Sequence, residues 1–581
     1  MHDQSTLENM LAMRRRPLVM GTHGAITSGH YLATAAGHRI AQQGGNAIDI
    51  AAAVGLCLSV LEPQECTPGG EVPMLVYSAR ERKTRAISGV GWSPKALTID
   101  WCQEQKIDLI PGDGYIPACV PAVVGTWALA LQRFGTMSFA QVVEPAIQLA
   151  DEGFPMYAAL QGTISGCRDR FLKLYPTSAE VYLTGREAPQ VGARFRNPDL
   201  AEVFRTLCRA EADQAHRGRL AGVEAARDAF YKGPIAERIA GFIRDNPVED
   251  DTGCVRPGLL TFEDFAEWRA AVEEPVSLRY RGLDVHKCSS WTQGPVFLQQ
   301  LSLLAGMDLR AMGLNSPEYI HARIECAKLA FADREAYYGD PLFDDVPFDL
   351  LLSEGYAAQR RALVGETASP GLRPGSLAEP PPADPFTHPG DTTHLDVIDA
   401  EGNMVSATPS GGWISASPVI SGLGFPLGTR AQMFFLEPGR PNALAGHKRP
   451  RATLTPTLVT KNGDPLMVFG ARGGDTQDQT TIQFFLAHME FGLDLQQALD
   501  VPTFWIEDFP CSFYPRQANP GSVVVENTLD PAVIAALRAR GHTVTSVPVG
   551  LKMMAIRRSA ETGIVAAGVC STAEQGYAIG W

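Results

Sequence analysis

The sequence predicts a layered α+β protein. Helical signals crowd the first half, short strands follow residue 392, and turn residues join those strands into hairpins. That mixture suits antiparallel layers better than a doubly wound parallel sheet.

In chain order, Gly44-Gly45-Asn46-Ala47 opens a run of small apolar residues through Leu61 that Pro63 ends, which predicts a buried helix. A second helix is expected after Ser316, a good N-cap followed by Pro317 at the first helical position. Ile320, Ile324, Ala327 and Phe331 give it one apolar face, and Gly339-Asp340-Pro341 marks its end. Strands are predicted at 395–398, 404–408, 457–459 and 466–469, then helices at 480–489 and 495–499. The first two strands form a hairpin about Asp399-Ala400-Glu401-Gly402-Asn403, where Gly402 and Asn403 tolerate positive φ.

Composition narrows the function. At 581 residues and 62.7 kDa the chain exceeds one small core, and 45% hydrophobic with 20% charged residues is ordinary for a globular protein. A net charge of −14 disfavours nucleic acid and anionic membrane as partners. No stretch of eighteen or more apolar residues appears, and no apolar segment precedes Arg14, so neither a membrane span nor a secretory signal is expected. The 11 cysteines are scattered without a Cys-x-x-Cys pair and read as buried thiols, with the cytoplasm as the default location. The 12 histidines show no ligand spacing such as His-x-x-x-His, so no metal and no cofactor is assigned.

The run Gly390-Asp391-Thr392-Thr393-His394 carries the chemistry. Prolines at 370, 374, 380, 381, 382, 385 and 389 form a stretch unable to make helix or central strand, and it gives way to a strand at Thr392. Cutting the Asp391–Thr392 bond would give Thr392 a free α-amine of pKa about 7.7–8.0, able to take the proton of its own hydroxyl. Nucleophile and base would then share one residue. The plainer reading, a β-branched residue starting a strand, stays open at this point.

Further motifs follow in order: Gly44 to Asp49, Leu61-Glu62-Pro63 leading to Gly69-Gly70, Glu325 to Arg334 with Gly339-Asp340-Pro341, Lys448-Arg449-Pro450 with Thr455-Pro456-Thr457, and Gly473-Gly474. With the Asp391 run, this ordered set resembles the γ-glutamyltransferase family of N-terminal-nucleophile hydrolases over nearly the whole chain. The resemblance implies a four-layer αββα sandwich. It also implies self-cleavage into a large fragment, 1–391, and a small one, 392–581, which act together on a small-molecule amide. It makes Thr392 the nucleophile, with Thr393 bonding its α-amine and Ser410 orienting it. Gly473 and Gly474 would present backbone N–H groups as the oxyanion hole. Ser410 as a plain turn serine and the glycine pair as a simple turn are the competing readings.

The departures from the family pattern select a branch. No arginine occurs in Gly89-Val90-Gly91-Trp92-Ser93-Pro94, where the resemblance places a clamp for the donor α-carboxylate. No carboxylate occurs in Leu427-Gly428-Thr429-Arg430-Ala431-Gln432-Met433, where one would hold the α-amino group. Ala452 and Thr453 replace a serine pair, and Gly412 replaces an asparagine. A glutamyl head group would lose both charge partners, which points to the amidohydrolase and acylase branch. Arg430 is a candidate for holding a substrate carboxylate, with Trp413 and Thr453 as further pocket residues. A structural ion pair for Arg430 and simple packing for Trp413 remain alternatives. The competing functions are a γ-glutamyltransferase or glutathione hydrolase with an atypical donor site, and a non-catalytic scaffold. The oligomeric state of the processed pair, homodimer included, is left open.

Overall fold

The computed structural model describes residues 16–375, 392–548, 550 and 552–581. Asp391, the prolines from 380 to 389 and the segment before Arg16 lie outside those residues.

The first expected helix, α1, spans Ala47–Leu61. Asn46 caps it by accepting from Ile48 and Asp49 N–H, while Asp49 Oδ2 accepts the Asn46 N–H, a reciprocal capping box. Every residue of α1 is buried, which explains its small apolar sequence. Helix α2 spans Pro317–Tyr337, with Ser316 Oγ accepting from Tyr319 N–H at 3.0 Å. Its apolar stripe is where expected, yet its other face is buried too and carries Arg323, Glu325, Lys328, Asp333 and Arg334. Four of those charges are paired, as buried charges usually are: Lys328 with Glu325, Asp333 with Arg360 and Arg334 with Glu335, while Arg323 donates to Gln300 Oε1 at 3.2 Å and Gln479 O at 3.0 Å.

Strands β1, Leu395–Ile398, and β2, Met404–Ala407, form the expected hairpin. Gly402 supplies the positive φ of +86°, and Asn403 instead donates its side-chain N–H to Asp399. Strands β3, Thr457–Lys461, and β4, Asp464–Ala471, are longer than predicted, and helix α3 covers Gln477–Met489.

Two seven-stranded sheets hold these strands. One orders Val19–Gly21, Val565–Val569, Met553–Arg558, β4, β3, Leu283–Lys287 and Val276–Tyr280. The other orders Tyr577–Gly580, Ala25–Ser28, β1, β2, Met74–Ser78, Lys83–Ile87 and Val272–Glu273. All pairings in both are antiparallel. β1 and β2 touch β4 across the gap between the sheets, α1 packs on β1 and β2, and α3 packs on β4. Each sheet draws strands from both sides of residue 391, so segments 1–391 and 392–581 are interleaved rather than separate folding units.

The period-two pattern of β1 does not divide core from solvent. Leu395 and Val397 join the core around α1, while His394 and Asp396 are equally buried on the other face. There His394 contacts Asp396 Oδ1 and Thr408 Oγ1, each at 3.0 Å. A Cβ on Gly470 of β4 would lie 2.2 Å from the His394 ring, so this glycine sets the close approach of the two sheets.

No helix among the described residues is long and apolar enough to cross a membrane. Of the cysteines, Cys254 is exposed and Cys167, Cys208 and Cys511 are half-buried, which corrects the expectation of uniformly buried thiols.

Candidate active site

Thr392 stands at the entrance to β1 and is 1% exposed. It makes an isolated antiparallel bridge with Ser410, and the two hydroxyl oxygens lie 3.3 Å apart. Ser410 is pinned by a reciprocal backbone pair with Glu71: Ser410 N–H to Glu71 O at 3.0 Å and Glu71 N–H to Ser410 O at 2.8 Å. Segments around residues 71, 392 and 410 therefore meet at Ser410.

Thr393 follows Thr392 directly and is 1% exposed. Its hydroxyl donates to Glu62 Oε2 at 2.7 Å. Glu62 caps the C-terminus of α1, and Gly29 leaves the room, since a Cβ there would lie 2.2 Å from Thr393 Oγ1. Arg472 donates to Glu65 Oε1 at 2.8 Å and lies 4.0 Å from Glu62 Oε1. Thr393, next to Thr392, and Arg472, next to Gly473, thus meet on one acidic pair at the end of α1.

Gly473 (φ +118°) and Gly474 (φ +55°) form a left-handed turn that runs into a short 3-10 segment and then α3. Neither amide N–H has an acceptor among the described residues. Their position at a helix start adds the favourable end of the α3 dipole. Asp475 anchors the turn, accepting from Ser512 N–H at 2.8 Å, from Ser512 Oγ at 2.7 Å and from Arg334 of α2. Such a turn can receive the negative oxygen of a tetrahedral intermediate.

Arg430 is 1% exposed and commits its guanidinium inside the protein. Nε donates to Glu71, and Nη2 donates to Ser410 Oγ at 2.9 Å while also pairing with Glu71. Burial pushes the Glu71 carboxyl up from its ordinary value, and Arg430 opposes that. Arg430 lies 5.0 Å over the Trp413 ring and 5.8 Å over Phe513, and Phe513 in turn abuts Gly474. Trp413 is held by its indole N–H on Glu65 O at 2.9 Å. The ion pair considered for Arg430 and the packing considered for Trp413 are both present.

Beside Arg430, Gln432 donates to Gly112 O at 3.2 Å and accepts from Tyr514 N–H at 2.9 Å, while Arg516 donates to its carbonyl at 2.8 Å. Next to Gly112, Asp113 contacts Arg170 and accepts from Asp251 N–H at 2.6 Å. Burial, reinforced by the nearby Asp251 charge, pushes the Asp113 carboxyl from 3.8 up to about 7. A carboxyl raised on folding contributes stability that is complete below about 3.8 and is lost as pH rises through about 7. Asp113→Asn should therefore flatten the fall in Tm between pH 4 and 7, and an unchanged slope would count against this assignment.

Thr453 is 1% exposed, and its hydroxyl has no hydrogen-bond partner among the described residues. Gly412 has φ +66°, and a Cβ there would lie 2.1 Å from Thr67 Oγ1, so a side chain here would require Thr67 to shift. Trp92, in the segment lacking the family arginine, stacks on His447 at 4.2 Å. The site partners that sequence reading missed, Glu62, Glu71, Arg472, Asp475 and Phe513, meet only through long-range folding. Only Glu62 fell within a recognised motif. Away from the site, His321, Glu325 and His542 come together, with His321 Nδ1 2.8 Å from His542 Nε2, an arrangement their sequence spacing did not suggest.

The family model for Gamma-glutamyltranspeptidase matches residues 33–581. The Glutathione hydrolase-like YwrD proenzyme of Bacillus subtilis (strain 168) is 31% identical over 541 residues, covering 91% of this chain and 92% of its own. Among solved structures, LmbA2991HD is 42% identical with a TM-score of 0.93, covering 98% of this chain and 100% of that one. The cephalosporin acylase from Bacillus halodurans is 30% identical with a TM-score of 0.84, covering 98% and 97%.

Proposed function

The chain belongs to the gamma-glutamyltranspeptidase family, and on that premise we propose that it is a self-processing amide hydrolase with Thr392 as its nucleophile. The observation that carries the reading is the pairing of Thr392 Oγ1 with Ser410 Oγ at 3.3 Å, in a site whose Gly473 and Gly474 amides are unclaimed among the described residues. Thr392 Oγ attacks the carbonyl carbon of Asp391, giving an ester by N-to-O acyl shift, and water hydrolyses it. The freed α-amine then serves as base in turnover. A substrate amide acylates Thr392 Oγ and the leaving amine takes a proton; water releases the acid. Gly473 and Gly474 donate to the oxyanion in both steps.

The two sheets with their flanking helices are read as the four-layer αββα sandwich, made by fragments 1–391 and 392–581 of one precursor. The word proenzyme in the Bacillus subtilis relative's name agrees with this. Arg430, matched by Glu71, serves the nucleophile rather than a substrate carboxylate. Trp413 and Phe513 form an aromatic wall suited to an acyl group.

A free α-amino acid head group would enter this site without an acidic partner in residues 427–433. Burying it unpaired costs several kcal/mol, or about a thousandfold in kcat/KM. Glutaryl-p-nitroanilide, which lacks the α-amino group, should therefore be cleaved far better than γ-glutamyl-p-nitroanilide. Efficient turnover of glutathione with glycylglycine would instead restore the transferase reading.

A further inference from the structure

Arg430 does more than balance Glu71. An ion pair needs only the Nε and Nη2 contacts to the carboxylate, yet Nη2 also lies 2.9 Å from Ser410 Oγ. A hydroxyl oxygen that accepts from a guanidinium has one lone pair engaged and its own hydrogen still to give. Thr392 Oγ1, 3.3 Å away, is an acceptor on the reacting atom itself. The Ser410 backbone is locked to Glu71 in both directions, which fixes the Cα from which the hydroxyl reaches Arg430 and Thr392. The guanidinium is 1% exposed and packed against Trp413 and Phe513, so water screens its charge little.

We propose that Arg430 is a positioning residue that makes Ser410 a hydrogen-bond donor to Thr392 Oγ and thereby eases departure of that oxygen from the acyl group. This rests on the nucleophile reading above. In the leaving step water adds to the ester carbonyl carbon and gives one proton to the Thr392 α-amine. The tetrahedral intermediate then collapses, the C–Oγ bond breaks, and its electron pair goes to Oγ. The α-ammonium returns the proton to Oγ, and the free acid departs. Negative charge gathers on Oγ during collapse, when a donor backed by a cation helps most. Ester formation places no such charge on a departing Oγ, so it should be less sensitive. Self-cleavage ends in the same step, because the ester of Asp391 on Thr392 Oγ must also release that oxygen to water.

The test uses processed enzyme and glutaryl-p-nitroanilide, with the p-nitroaniline burst reporting acylation and the steady state reporting acyl release. Arg430→Lys keeps the charge beside Glu71 but loses the planar two-sided contact. It should slow steady-state release about tenfold or more while the burst rate holds, so that intact mass finds the glutaryl ester on the 392–581 fragment. In a Ser410→Ala background the same substitution should have no further effect. Equal loss in both phases, or full additivity with Ser410→Ala, would overturn the proposal. Should Arg430→Lys remain uncut, hydroxylamine should split it at 391/392 by attacking the stalled ester, and a chain that hydroxylamine leaves whole overturns the idea equally. Hydrolysis that persists in Thr392→Ala would defeat the nucleophile reading instead, so the two failures are distinguishable.

Discussion

Thr392→Ala is expected to give a single intact chain of 62.7 kDa without amidase activity. The substitution removes one hydroxyl and one methyl group. The Thr392–Ser410 bridge is made by main chain and survives, and the neighbouring strand β1 keeps its pairing with Ala25–Ser28 and β2. The fold should therefore stand while both reactions of the hydroxyl vanish. Without Oγ there is no acyl shift onto residue 392 and no acyl-enzyme, and loss of a nucleophile typically costs about 10⁴-fold or more in rate. Wild-type protein should instead yield fragments 1–391 and 392–581 that co-elute, because each sheet interleaves strands from both. Intact mass and size-exclusion chromatography decide the point. A Thr392→Ala chain that still splits at 391/392 would remove the basis of the proposed function. Thr392→Ser should still split, since the hydroxyl remains, with its rotamer less restricted for want of the methyl group.

How far the sequence foretold this site depended on whether the signal was local. The small apolar run from Ala47 to Leu61, Ser316 with Pro317, and the alternation in 395–398 are local, and each element formed as read. The face assignments were harder. Asp396 and His394 alternate with apolar residues as solvent-facing side chains do, yet they lie buried between two sheets, bonded to each other. Nothing within one strand tells that a second sheet will cover it. Arg430 shows the same limit. Its charge and the option of a structural ion pair were legible, but the partner, Glu71, lies 359 positions away and could not be named. Glu62 stood in a recognised motif, but its service to Thr393, across 331 positions, is visible only once α1 ends beside β1. The glycine pair was legible only through the family resemblance, and the positive φ at both positions supplies its physical reason, since such backbone favours a residue without Cβ.

That constraint makes Gly474→Val the second large expected effect. Gly474 sits at φ +55°, a region costly for any β-branched residue, about 1–3 kcal/mol of backbone strain. A Cβ there would lie 2.9 Å from Phe513 Cε2, so the ring or the turn must move. Both sides are braced: Phe513 packs against Trp413 at 5.8 Å, and Asp475 ties the turn to Ser512 and Arg334. The turn is expected to yield by rotating its peptide, which takes an N–H out of the position the oxyanion occupies. Loss of one such donor typically lowers kcat by about 10²–10³. Because the donor acts on charge that develops during reaction, KM should change little while kcat and kcat/KM fall together. Self-cleavage passes through an oxyanion as well, so processing should slow in parallel, and the rate should be compared on fully cut protein. Gly474→Ala is the graded control: it brings the Cβ but not the branches, and it should fall between wild type and valine. A cut, folded Gly474→Val enzyme with wild-type kcat would mean that the negative oxygen is held somewhere other than the Gly473–Gly474 turn.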